Sequence, residues 1–260
     1  MKRIHLFEFE DFKWFPDFIR DGGTDFLGFI LNITKFYAPA IPIMEKLIHS
    51  TGHKHILDLC SGNGGPVEFI HQRINPSLNL QFIVSDKYPN FPAYQQLKKR
   101  TNNQVDYYPH SLDILHPDAE VTGIRTLFSA IHHFKPTEVK TIVQNVIDSK
   151  MPVCIFDSGD KHFGTILLIL IFHPILFLLF TPFIRPFKLR RILFTYLIPL
   201  IPVYTIWDGV ISILRLYQPK ELFEIAKTSD KNELYEWNYG KVKNSIGMSV
   251  AYLTGIPKQK

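Results

Sequence analysis

The sequence predicts an α/β fold in which short buried strands alternate with helices. Two observations carry this. Residues 55–57 read as a buried strand. They run through the small-residue turn Asp58-Leu59-Cys60-Ser61-Gly62-Asn63-Gly64-Gly65 into a helix opening at Pro66, where proline's missing N–H costs nothing. Two more apolar runs, 80–85 and 152–156, end in an acid, Asp86 and Asp157. Such alternation argues for strands joined through helices.

The other elements follow in order. The first fifty residues show no strand; 26–48 has helical spacing broken at Pro39 and Pro42, and aromatic and polar clusters stand at 12–16 and 20–25. A fourth apolar run begins near Arg125. Residues 219–226 read as a helix, and 233–242 and 248–256 alternate as a closing pair of strands. One domain, 1–260, accommodates all of this: a helical cap (1–50), a ligand-binding core (51–160), an apolar insert (161–217) and a closing helix with strands (218–260). There is no internal repeat, linker or low-complexity tract.

The glycine turn lets backbone N–H groups approach a ligand without a side chain in the way. A dinucleotide fingerprint starting at Gly62 would need glycine or alanine where Val67 stands, and a phosphate-cradling loop would need Gly-Lys-Ser/Thr, which does not occur. Tyr94 and Lys98 have the spacing of a short-dehydrogenase pair but lie on the wrong element, just after the second strand. Asp58 would repel pyrophosphate and suits a ligand carrying a positive charge. Asp86 follows the turn at close to the ~20 residues typical of ribose-binding acids in such units. A turn before Lys87-Tyr88-Pro89-Asn90 is its other reading.

The turn resembles the first motif of class I S-adenosylmethionine-dependent methyltransferases, Asp/Glu-x-Gly-x-Gly-x-Gly. Asp58, Gly62 and Gly64 match it, and Cys60 departs at the first glycine. The resemblance covers about 56–156. It implies a Rossmann-like seven-stranded, mostly parallel sheet with helices on both faces and an antiparallel last strand. It also implies an enzyme using S-adenosylmethionine. Asp58 would orient the methionine ammonium; Cys60, Ser61, Gly62, Asn63 and Gly64 would surround it. Asp86, with Lys87, would take the ribose, and Asp113-Ile114 would meet the adenine. An N-cap or turn role is the other reading of Asp113. The segment from Arg125 to Phe134 resembles the fourth strand and loop of small-molecule members, often apolar-x-His-His-Phe. There Ser129 would meet the cofactor, Tyr37 would reach it from the lid, and His132 or His133 would be a general base, since imidazole titrates near neutral pH. Histidines bonded to backbone are the bland alternative. No metal is expected, because adjacent histidines diverge and no His-Glu-x-x-His pattern occurs.

Composition narrows the partners. The chain has 260 residues, a formal charge of +5, 22 Phe and 11 Tyr, enough apolar mass for a full core. It has no basic run of the kind that binds nucleic acid. Cys60 and Cys154 offer no disulfide framework, which fits a reducing, cytoplasmic compartment. The N-terminus lacks the pattern of a signal peptide. The insert carries two apolar runs, 163–183 and 192–207, around a basic knot at 185–191, with Pro174, Pro199 and Pro202 interrupting. A spanning hairpin would put the knot on the outer side, against the positive-inside bias. A soluble helical cap over the acceptor is one resolution. An in-plane hairpin on the inner face of an anionic membrane, cations at head groups, is another. The expected acceptor is small and hydrophobic or lipid-like. Trp207-Asp208-Gly209 and Arg215-Leu216-Tyr217 stand where the insert returns, either lining the acceptor pocket or capping the returning helix.

Overall fold

The structure is a computed structural model that describes residues 1–117 and 122–258. Two helices precede the sheet: α1, Asp17–Ile33, and α2, Ala40–Thr51. Pro39 is the N-cap of α2 and Pro42 sits in its first turn, where neither breaks a hydrogen bond. The βα units follow: β1 (His55–Asp58), α3 (Gly65–His71), β2 (Gln81–Val84), α4 (Phe91–Arg100), β3 (Val105–Tyr107), β4 (Ile124–Phe128), α5 (Pro136–Ser149) and β5 (Val153–Ser158). Asp157 thus lies within β5 and does not terminate it.

The insert contains α6 (Phe163–Phe180), a short α7 (Leu189–Ile192) continued by a wider turn to Leu197, and α8 (Leu200–Arg215). The chain closes with α9 (Pro219–Ser229), β6 (Tyr235–Lys243) and β7 (Ser249–Pro257).

The seven strands form one sheet in the order β3-β2-β1-β4-β5-β7-β6. β1 to β5 are parallel, while β7 runs antiparallel to β5 and to β6. The predicted sheet is present. Helices cover both faces, so neighbouring residues on one strand serve opposite cores. Ile56, Phe128 and Phe156 pack with α2, α3 and α4; Leu57, Leu127 and Ile155 pack with α5 and α9.

Two features of the insert depart from the sequence reading. α6 runs unbroken through Pro174, and the break falls instead around Pro199, where the 189–197 and 200–215 helices bend by 80°. The basic knot is only partly a surface feature. Arg191 is buried, donating to Asp25 at 2.6 Å and to the Ile184 and Pro186 carbonyls, and Lys188 also donates to Asp25, at 2.8 Å. Apolar neighbours leave a buried guanidinium no alternative to pairing. Arg185 and Arg190 stay exposed.

Candidate active site

The carboxyl ends of β1 and β2 carry the turn. Backbone at Cys60, Gly62 and Gly64 is left-handed, with φ of 60°, 56° and 78°. This explains the motif's glycines. Gly64 is structural: an added Cβ would lie 2.6 Å from Leu97 Cδ2. At Gly62 an added Cβ would meet nothing within 4 Å, so this part of the turn faces open space.

Several predicted ligand contacts are instead consumed in building the turn. Asp58 is 1% exposed. Its Oδ2 accepts from Ser61 Oγ and its Oδ1 from Thr126 Oγ1, both at 2.6 Å. Burial outweighs these bonds and pushes its carboxyl up to about 7. It lies beneath the turn and braces it, rather than standing at its surface beside a ligand ammonium. Ser61 is buried too and receives the Ser85 N–H. Asn63 faces away, donating to the Thr24 carbonyl of α1 and accepting from the Gly65 N–H. For the side chains of Ser61 and Asn63, the geometry is that of a scaffold.

Asp86 fits its expected place. It follows β2, and its Oδ2 accepts the Gly62 N–H at 2.9 Å while Oδ1 accepts the Tyr88 N–H at 2.8 Å. Burial raises its carboxyl despite those bonds. Asp86 and the open face of Gly62 therefore form one continuous floor. Arg20 of α1 reaches across it, its guanidinium 5.1 Å from the Tyr88 ring centre and held by the Phe12 carbonyl.

Lys87 and Asp113 are brought together, but with each other: Lys87 Nζ donates to Asp113 Oδ2 at 2.7 Å, and Asp113 Oδ1 accepts the Leu115 N–H. The lysine pairing holds the Asp113 carboxyl low although burial opposes it. Ile114 is buried among Leu57, Leu59 and Leu112, with Cys60 packed against them.

The second half of the site lies at the ends of β4 and β5. Ser129, at φ 50°, is hydrogen-bonded to Tyr37. Tyr37 is buried with its ring edge on Phe128, so it joins the segment between α1 and α2 to the sheet. His132 is buried, and its Nδ1 donates to Asp157 Oδ2 at 2.8 Å. That bond fixes the tautomer and leaves the Nε2 lone pair as the basic site.

His133 is different. Burial favours its neutral form, but Glu8, Asp11 and Glu10 outweigh this and raise it to about 10. Nδ1 donates to Asp11 Oδ1 at 2.9 Å; Nε2 lies 3.4 Å from Glu10. This setting favours the charged imidazole, which has no lone pair to offer, and speaks against the expectation that His133 serves as a base.

Those three acids belong to the N-terminal segment, which the sequence reading did not connect with the site. Glu8 is fully buried and accepts from Arg215 Nη1 at 2.9 Å, while Arg215 Nη2 donates to Asp11 at 2.6 Å. Asp208 accepts the Phe9 and Glu10 N–H groups, and burial together with Glu10 raises its carboxyl to about 8. The two polar-aromatic clusters of the insert thus clamp the N-terminal strap over the strand ends. Arg3 adds bonds to the His132 and Phe134 carbonyls. Glu8, His132 and His133 each offer a ligand atom within 4.8 Å of the others, but the Arg215 guanidinium already supplies a cation there. Asp157 and the strap's acids are the groups beside the candidate site that the sequence reading missed. The trio Glu8, Glu10, Asp11 in an aromatic stretch was the only signal.

A cavity of about 370 Å³ opens on the outer flank of the turn, between Asp25, Gly28, Asn63, Ala93 and Lys188. It shares none of Cys60, Gly62, Asp86 or Ser129, and so lies apart from the floor described above.

No family model matches the sequence, and no curated protein matches it. Solved structures do match. The methyltransferase domain of bacterial CtHen1-C is 11% identical, with 85% of this chain and 97% of that chain covered and a TM-score of 0.50. The S-adenosylmethionine-dependent methyltransferase SibL is 12% identical over 86% of this chain, TM-score 0.50. An O-methyltransferase family protein from Burkholderia thailandensis is 11% identical over 86%, TM-score 0.48. The chain spans 56% of the length of each of the last two. The chain has the Rossmann-like methyltransferase fold.

Proposed function

We propose that this chain is an S-adenosylmethionine-dependent methyltransferase acting on a hydroxyl of a small, hydrophobic or lipid-like acceptor. The observation that supports it most is the joining of Asp86 to Gly62 at 2.9 Å. It places a carboxylate suited to a ribose diol on the floor of an open glycine turn, and it leaves the region acidic, as a sulfonium ligand requires. The residues fit the cofactor: Asp86 for the ribose, the Cys60–Gly62 backbone for the methionine part, and the Asp113–Ile114 segment beside the adenine. Bound there, S-adenosylmethionine supplies an electrophilic methyl group.

The chain's own work is positioning and proton removal. His132 Nε2 takes the acceptor's hydroxyl proton, and Asp157 stabilises the imidazolium that forms. Tyr37 and Ser129 hold the lid against β4, and the strap excludes water. Positioning in a dry cleft accounts for much of the rate in such transfers. Because S-adenosylmethionine is a cytosolic metabolite, the working compartment is the cytoplasm.

Calorimetric titration with S-adenosylmethionine, alongside the nicotinamide dinucleotides, tests the cofactor. Turnover against a pool of amphiphilic alcohols and phenols tests the reaction. Asp157→Asn should bind cofactor normally and lose about 10²–10⁴-fold in turnover, the range of general-base contributions. Dinucleotide binding without S-adenosylmethionine binding would overturn the reading.

A further inference from the structure

α6 lies along the body of the protein. Near its start Ile166 packs with Ile213 and Leu216; near its end the Phe177 ring stacks on Phe26 at 4.1 Å, among Phe15, Ile201 and Tyr204. Between them His173 Nε2 and Thr205 Oγ1 are 3.0 Å apart. Ile166, Ile169, His173, Phe177 and Phe180 repeat at three and four residues, a single contact stripe. Most of the other side chains of the helix are apolar and uncovered. Leu168, Ile171 and Ile175 are each 55% exposed, and Leu179 is 57% exposed. Only 11% of this stretch is buried, although it is long and apolar enough to cross a bilayer.

The uncovered surface continues over Leu197, 74% exposed, whose neighbour Tyr196 is hydrogen-bonded to the Leu178 carbonyl. On α8, Trp207 is exposed as well; its indole donates to the Phe7 carbonyl at 3.1 Å with the rings 5.3 Å apart. A patch of this extent marks an interaction surface.

We propose that this face docks in the plane of an anionic lipid bilayer without crossing it. Four facts fix the occupant and the orientation. Both ends of α6 are anchored in the body, so a crossing would dismantle two apolar clusters. Residues 163–207 hold four basic residues and no acid. A second copy placed symmetrically on the same face would oppose like charges, whereas anionic head groups complement Arg185 and Arg190, the exposed pair. The insert also exposes aromatic side chains with a polar handle, Trp207 and Tyr196, the kind enriched at a lipid–water boundary. Phe7 is continuous with Glu8, which Arg215 holds beside His133, so docking brings the acceptor side of the site to the lipid. That last consequence rests on the methyl-transfer reading; the docking does not.

The test is co-sedimentation of the full chain with vesicles of phosphatidylcholine, alone or with phosphatidylglycerol. Binding should be tighter on the anionic vesicles by about fivefold per exposed cation, and high salt should remove the difference. Tryptophan emission should shift to the blue and be quenched more by shallow than by deep brominated lipids, since in-plane helices sit in the interface. The triple variant Leu168→Glu, Ile171→Glu, Leu179→Glu changes only exposed positions. It should melt like the parent, keep its calorimetric affinity for S-adenosylmethionine, and lose vesicle binding tenfold or more. A parent that stays in the supernatant with both vesicles, as a monomer or as a dimer by analytical ultracentrifugation, overturns docking. Cleavage at Arg185 or Arg190 only from the vesicle lumen overturns the in-plane orientation. Docking without cofactor binding would sink the methyl-transfer reading alone.

Discussion

Cys60 stands in left-handed backbone, φ 60°, where the motif it resembles carries glycine. A side chain there costs about 1–2 kcal/mol, partly offset by the chain entropy that glycine would add. Cys60→Gly should therefore raise stability by up to about 1 kcal/mol, read as an increased denaturation midpoint at constant slope. Gly62 shares that backbone but faces open space. Gly62→Val would strain the turn as well as block it. Gly62→Asn, which tolerates left-handed backbone, separates the two: it should fold and yet bind S-adenosylmethionine at least tenfold more weakly. Asp86→Ala removes both the ribose contact and the acceptor of the Gly62 N–H. Affinity should fall by about 1.5–3 kcal/mol, the range for charge-assisted bonds, in a protein that still melts cooperatively. Unchanged calorimetric affinity would refute the assignment.

Between elements, the insert is held to α1 by one buried charge pair. Asp25 accepts from Arg191 and Lys188, and both Asp25 and Arg191 are nearly inaccessible. Truncating one partner of such a pair strands the other, at about 3–5 kcal/mol. Asp25→Ala should cost that much in chemical denaturation and loosen residues 184–191 in hydrogen exchange. Asp25→Ala combined with Arg191→Met should recover most of the loss. An Asp25→Ala protein as stable as the parent would mean that the apolar contacts of Phe26, Phe177 and Ile201 suffice alone.

For the whole molecule, the N-terminal strap, the His132–His133 turn and α8 meet in one charged cluster. The folded-state value of His133 lies near 10 against the usual 6.5. The stability from its ion pairs is therefore complete below 6.5 and is lost as pH rises through about 10. Asp208 acts in the same direction. Its carboxyl is raised from 3.8 to about 8, so the fold favours the neutral form and the stability it contributes is lost as pH rises from about 4 to about 8, below the window of His133. The melting temperature should fall steadily from neutral to alkaline pH. In His133→Gln the alkaline limb should flatten, at the expense of stability near neutrality. A flat parent profile would show that the cluster contributes little.

The sequence by itself determined the layered α/β fold, the order of the motifs and the place of Asp86. Each depends on local rules: apolar runs for buried strands, glycine where φ is positive, an acid at the end of a strand. It also identified the insert as the unusual part of the chain. Only the tertiary structure decided which polar side chains are taken up by the fold's own bonds. Asp58, Ser61 and Asn63 are spent inside the turn, Lys87 neutralises Asp113, and Arg191 is buried against Asp25. Nor could spacing have separated His132 from His133. One residue apart, they differ because the first is hydrogen-bonded to Asp157 and the second lies within 4 Å of three acids from the far end of the chain. Basicity and charge are set by which groups the fold places within a few ångströms: for His132 a partner 25 residues on, for His133 partners more than a hundred residues away in the chain.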